Sequence, residues 1–149
     1  MFDSVIRGGT IVDGTGAAPF TGDVGIRDGK IVEVGTIAER GAEEIDADGA
    51  VVTPGFVDVH THYDGQVTWD DAIEPSTTNG VTTVVMGNCG VGFAPVRSGD
   101  TAELIDIMEG VEDIPGAALT DGMPWGAWET FPEYLDVIGE RSYAVDVGA

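Results

Sequence analysis

Hydrophobic and polar positions follow two different rhythms along the chain. Up to residue 53 the apolar residues come in short runs broken by glycine pairs, the pattern of small antiparallel β-structure. Phe2–Ile6 and Thr10–Val12 read as strands, punctuated by Gly8-Gly9, Asp13-Gly14 and Asp48-Gly49. Asp23–Arg27 and Lys30–Val34 flank Asp28-Gly29. Asp-Gly between two such runs predicts a tight hairpin, because both central residues of a type I′ turn need positive φ. That register sets Ile26 opposite Ile31. Glu44–Asp46 and Val51–Thr53 add one or two further strands.

After Pro54 the rhythm changes. Phe56–His60 is a mostly apolar strand whose parity puts Val57 and Val59 on one face and Phe56, Asp58 and His60 on the other. Valines outward and polar groups inward suit a barrel covered by helices. Thr82–Met86 is a second buried-type strand, reached through a loop with one short helix. Asp100–Gly110 reads as a helix with Leu104, Ile105, Ile107 and Met108 on one face, a capping box at Asp100 and Glu103, and Gly110 as its stop. A Gly/Pro/Trp-rich loop is expected from about Pro115 to Glu129, its tryptophans used for packing. A second helix follows, capped by Thr130 and Glu133, with Phe131, Tyr134, Leu135 and Ile138 spaced as one face and Gly139 at its end. Tyr143–Val147 reads as a third buried strand.

Strand, connection, strand, helices, strand is the order of a parallel α/β sheet. The expected organisation is a small β-domain over residues 1–53, then over 54–149 the first strands and helices of an incomplete barrel. About 95 residues accommodate roughly three strands of such a barrel, which takes about 250 residues in full. The remainder of the barrel is therefore an expected partner.

Composition narrows the function. With 27 acidic and 6 basic residues the formal net charge is −21, and Lys30 is the only lysine. Nucleic acid and anionic membranes require a basic face, so both are excluded as partners. No apolar run is long enough to cross a bilayer and no signal peptide is recognisable, so a cytoplasmic location is expected. The glycine-rich Gly87–Gly92 stretch lacks the lysine and helix of a phosphate-binding loop.

The candidate chemistry concentrates in three residues. The two histidines of the chain, His60 and His62, stand two apart at the end of the first barrel strand, and the one cysteine, Cys89, ends the next. Alternate strand positions share a face, so the imidazoles point the same way with Cα atoms about 6.5–7 Å apart. That spacing lets both reach one metal ion. Cys89 has three readings at this level: thiolate ligand, nucleophile paired with a histidine, or redox-sensitive bystander. Asp58 either orients an imidazole or anchors the strand end through a backbone partner. Asp64 either meets substrate or forms a turn.

Together, Gly9–Gly14, Asp28–Ile31 and the string Pro54-Gly55-Phe56-Val57-Asp58-Val59-His60-Thr61-His62 resemble the start of an amidohydrolase-superfamily enzyme. Asn79–Gly90 resembles the N-acyl-D-amino-acid deacylase (D-aminoacylase) branch. The resemblance covers nearly the whole chain but only the front of the family's length, and it implies an α/β fold: part of a small β-sandwich domain over residues 1–53, then the start of a (β/α)8 TIM-type barrel over 54–149. It implies one or two Zn2+ ions at the barrel mouth, with His60 and His62 as first-strand ligands and Cys89 as the thiolate ligand where many relatives use a carboxylated lysine. It implies hydrolysis of the amide of a small N-acylated amino acid by metal-activated water, with a general base beyond Ala149 and none within residues 1–149. The 149 residues alone are expected to be inactive. Alternatives are a hydantoinase-like cyclic-amide or dipeptide hydrolase, or a non-catalytic acidic metal-binding fragment.

Overall fold

The computed structural model describes residues 1–149. The chain divides into two compact units, Met1–Pro54 and Gly55–Ala149.

The first unit is a five-stranded sheet built around β1 (Phe2–Ile11). β2 (Phe20–Arg27) pairs antiparallel with β1, and β3 (Lys30–Gly35) antiparallel with β2. The β2–β3 hairpin is the expected one: Asp28 and Gly29 have φ of 52° and 69°, and Ile26 faces Ile31. On the other edge of β1 lie β4 (Gly41–Asp46) and β5 (Val51–Val52), both parallel to it. The expectation of purely antiparallel structure is corrected here. Two strands also become one, because Phe2–Ile11 is continuous through a bulge between Ile6 and Gly9. The Asp48-Gly49 turn serves that bulge: Ala47 N–H donates to Arg7 O at 2.9 Å and Gly49 N–H to Gly8 O at 3.2 Å. The ladder thus passes from β4 to β5 with its backbone groups satisfied. Phe2, Val5 and Ile37 form the buried cluster.

In the second unit β6 (Phe56–Thr61), β7 (Val81–Met86) and β8 (Asp146–Gly148) form a parallel sheet in that order. Two single 3-10 turns, Gln66–Thr68 and Thr77–Asn79, replace the one short helix expected between β6 and β7. Between β7 and β8 come α1 (Thr101–Glu112), α2 (Gly116–Gly122) and α3 (Phe131–Gly139). α1 runs past Gly110 and ends with Asp113 in the left-handed conformation, φ 55°, two residues before Pro115. Its Asp100 makes no side-chain capping bond, and Ile107 is 46% exposed although it lies beside buried Met108. α2 falls in the segment expected to be loop. At α3 the capping box is present as expected: Glu133 N–H donates to Thr130 Oγ1, and Thr130 N–H to the Glu133 carboxylate at 2.8 Å.

The core of this unit joins β7, the helices and the connecting loops, with Val84, Met86, Phe93, Met108, Leu119 and Trp128 among its buried members. Trp128 also donates from Nε1 to Phe93 O at 2.8 Å, while Trp69 is 38% exposed. β6 departs from expectation by being open on both faces: Phe56, Val57 and Val59 are each about 60% exposed. It is an edge strand with β7 on one side only, so nothing covers its valines. The third strand is shorter than expected, with Val145 buried just ahead of it. The class is α/β with a parallel sheet whose strand ends point the same way.

Candidate metal centre

The C-terminal ends of parallel strands are where α/β and barrel proteins place their chemistry. β6 ends in Thr61, whose Oγ1 donates to Val85 O of β7 at 3.1 Å and pins the two strand ends together. His60 and His62 flank this buried threonine with ring centroids 5.3 Å apart. Beyond β7 the chain reverses through Gly87-Asn88-Cys89-Gly90, closed by Gly90 N–H donating to Gly87 O at 3.0 Å. Gly87 and Gly90 have φ of 79° and 83°, values only glycine adopts without strain. Asn88 Nδ2 donates to Val59 O, which clamps the cysteine turn to the histidine strand. Val91 N–H donates to Cys89 Sγ at 3.4 Å.

These elements bring His60, His62 and Cys89 together. One donor atom from each lies within 4.8 Å of the other two. The set fits zinc chemically: two imidazoles and a thiol are ligands this ion takes. In spacing the donors are near but wider than a bound set: a tetrahedral zinc shell holds N and S donors roughly 3.3–3.6 Å apart, and here they spread over up to 4.8 Å. The histidines are exposed and Cys89 is half-buried, so an ion has access.

The two aspartates take different places. Asp58 is half-buried and its Oδ1 accepts from His60 N–H at 3.2 Å, a backbone partner that stiffens the strand end. Asp64 is 5% exposed, and its Oδ2 has no hydrogen-bond partner. Burial pushes its carboxyl up to about 6; the nearby His62 works against that shift and Glu112 with it. Tyr134 donates to Asp64 O at 2.8 Å, and its own hydroxyl is raised, chiefly by burial and then by the Asp64 charge. Asp64 borders a cavity of about 410 Å³ whose wall includes Met86, Asn88, Phe93, Phe131 and Tyr134.

Sequence reasoning missed Glu112, whose Oε2 lies 2.6 Å from His62 Nδ1. The expected stop at Gly110 left it outside the helix. Pro115, shortly past the true end, was the better signal.

A family model for the amidohydrolase family matches residues 43–145. An uncharacterized protein of Mycobacterium tuberculosis is 43% identical over 141 residues, covering 92% of this chain and 23% of its own length. The crystal structure of a D-aminoacylase, a protein with a binuclear metal center, is 33% identical, with a TM-score of 0.78 over 99% of this chain and 29% of that one. That of N-acyl-D-glutamate deacylase from Bordetella bronchiseptica, complexed with zinc and a phosphonate inhibitor, is also 33% identical, with a TM-score of 0.67 over 98% of this chain and 28% of that one. The chain therefore spans less than a third of the length of these relatives. The fold is that of their opening part, a β-rich region followed by the first strands of a (β/α)8 barrel. By the match over residues 43–145 and the whole-chain likeness to two deacylases, the chain belongs to the amidohydrolase family.

Proposed function

We propose that the protein carrying this chain hydrolyses the amide bond of small N-acyl-D-amino acids, using zinc held by His60, His62 and Cys89. One observation carries the reading: the three donors converge within 4.8 Å at the ends of two adjacent parallel strands. The names of the structural relatives, D-aminoacylase and N-acyl-D-glutamate deacylase, support the substrate class, and the zinc in one of them supports the metal, as one ion or two. Zinc, when bound, polarises a carbonyl and activates water as a nucleophile.

The chain's own residues build and hold the cradle. Asn88 ties the cysteine turn to β6, Thr61 locks β6 to β7, and Asp58 braces the backbone of His60. Asp64, two residues after His62, lines a cavity with Asn88 and Gly90, the neighbours of Cys89. We assign residues 1–53 to a small β-domain and 54–149 to the barrel's opening. No helix is long and apolar enough to cross a membrane. For residues 1–149 in isolation, their short span of the relatives favours a second reading, an acidic metal-binding piece without turnover.

The test is zinc content and turnover of the full-length protein on N-acetyl-D-amino acids, with N-acetyl-L-amino acids, hydantoins and dipeptides as competing substrate classes. Cys89→Ala and His60→Ala are each expected to lose zinc and most activity. Full zinc occupancy and an unchanged rate in Cys89→Ala would overturn the ligand assignment, and a preference for hydantoins would move the protein to the cyclic-amide hydrolases.

A further inference from the structure

Glu112 is a carboxylate in an unfavourable place. It closes α1, where the negative pole of the helix dipole gathers and no basic side chain offsets it. Its side chain is only 10% exposed, and an acidic group withdrawn from water needs a partner. That partner is His62, at 2.6 Å from Oε2 to Nδ1. A carboxylate only accepts, so in the neutral imidazole this partner places the ring hydrogen on Nδ1 and the lone pair on Nε2. Cys89 Sγ stands 3.8 Å from the same Nδ1, too far to compete with a short charge-assisted bond. The Glu112 carboxylate is outside the mutually close set of His60, His62 and Cys89 donors. It reaches the cluster through His62 alone.

We infer that Glu112 is a positioning residue for the metal centre: by occupying Nδ1 it fixes the His62 ring and leaves Nε2 as the nitrogen free to take the ion. This rests on His62 being a ligand, as proposed above. An imidazole anchored in this way keeps one tautomer and one orientation, and losing such an anchor costs about 10–100-fold in metal affinity. The contact links the end of α1 to the strand end of β6 across fifty residues of sequence, so helix placement and ligand orientation are set together.

Two measurements on the full-length protein test this. Zinc affinity is read by competition with a chromophoric chelator for the parent, Glu112→Ala, Glu112→Gln, His60→Ala and Cys89→Ala. Glu112→Ala is expected to bind zinc about 10–100-fold more weakly. Glu112→Gln, whose amide oxygen still accepts from Nδ1–H, recovers most of that loss. In the metal-free protein, 15N shifts of the His62 ring are expected to report hydrogen on Nδ1 in the parent and a mixture of tautomers in Glu112→Ala. A purely structural carboxylate would change the melting temperature without moving the tautomer, and that outcome overturns the inference. Unchanged zinc affinity in Glu112→Ala, or a rise that makes Glu112 a competitor for His62, does the same. If His60→Ala and Cys89→Ala also leave zinc binding intact, the ligand reading itself fails and takes the inference with it. A loss confined to those two variants sinks only the role of Glu112. Should Glu112→Ala fold poorly, the near-isosteric Glu112→Gln carries the test: parent affinity with the Nδ1–H tautomer retained supports the inference, and a full 100-fold loss despite that tautomer opposes it.

Discussion

The two units handle apolar surface and charge in opposite ways. In Met1–Pro54 the buried cluster is three side chains, Phe2, Val5 and Ile37, while Ile31 and Val51 are each 64% exposed. Its Arg7 is held between two carboxylates: Nε donates to Glu44 at 2.6 Å, and Nη1 lies 3.2 Å from Asp23. In Gly55–Ala149 thirteen apolar side chains share one core. Its most conspicuous carboxylate, Asp64, is inside, with one oxygen unpartnered. The first unit is specified by turns and ladder register between near neighbours. The second is specified by packing between residues far apart in sequence, and its buried, unpartnered Asp64 stands two residues after His62, beside the candidate site.

The comparison breaks first at the cores. Phe93 is 1% exposed and meets Trp125 edge-on at 5.8 Å. Phe93→Ala is expected to lower stability by about 3–5 kcal/mol. Ile31→Ser, on the exposed face of β3, is expected to stay within about 0.5 kcal/mol. Urea denaturation of the two variants decides: equal losses would mean that the open face of the first unit is buried in the protein as it works.

Acid should separate the units by sign. Arg7, then the Gly41 N–H, holds the Glu44 carboxyl down to about 2, well below its usual range. A depressed carboxyl contributes stability that is present above about pH 4.5 and is lost as pH falls toward 2. Asp64 is raised to about 6 by burial. There the folded state binds the proton more tightly than the unfolded chain, so stability falls as pH rises from about 4 through 6. In chelator-treated protein, amide exchange corrected for intrinsic rates is expected to show Tyr134 and its neighbours in α3 more protected at pH 4 than at pH 6. β1 and β4 amides lose protection only below pH 4.5. Asp64→Asn should flatten the first trend and Glu44→Gln the second. Trends of the same sign in both units would remove the contrast.

This division explains what was legible. The β2–β3 hairpin could be read to the residue because Asp28-Gly29 demands one backbone conformation and that conformation sets the register. The α3 cap was readable for a similar reason, since Thr130 and Glu133 satisfy each other's backbone donors within one turn. The parallel placement of β4 and β5 was hidden, because which edge of β1 a returning strand takes leaves no mark in its own residues. α2 was hidden because it is short, starts and ends on glycine and sits between Pro115 and Pro124, while its Leu119 packs into the core. In the candidate site, His60, His62 and Cys89 could be singled out by residue type and strand position, and the fold brings their donor atoms within 4.8 Å of one another. Glu112 was not, because its meaning depends on a contact with His62 that only the tertiary fold creates.

A single substitution type, glycine to alanine, sharpens the contrast at the smallest scale. Gly29 holds φ 69° in the hairpin turn, and a Cβ there meets no atom within 4 Å. Space is therefore not the constraint; backbone conformation is. Gly29→Ala is expected to destabilise by about 1–2 kcal/mol, the cost of an L side chain in the left-handed region. Gly110 lies inside α1 with ordinary helical φ, and a Cβ there also meets nothing within 4 Å. Gly110→Ala is expected to stabilise by about 0.4–1 kcal/mol, because it removes freedom from the unfolded chain without strain in the folded one. Thermal melts of both variants read the two signs. Loss of stability from Gly110→Ala would mean that α1 needs a weak point near its end, two residues before the glutamate that meets His62.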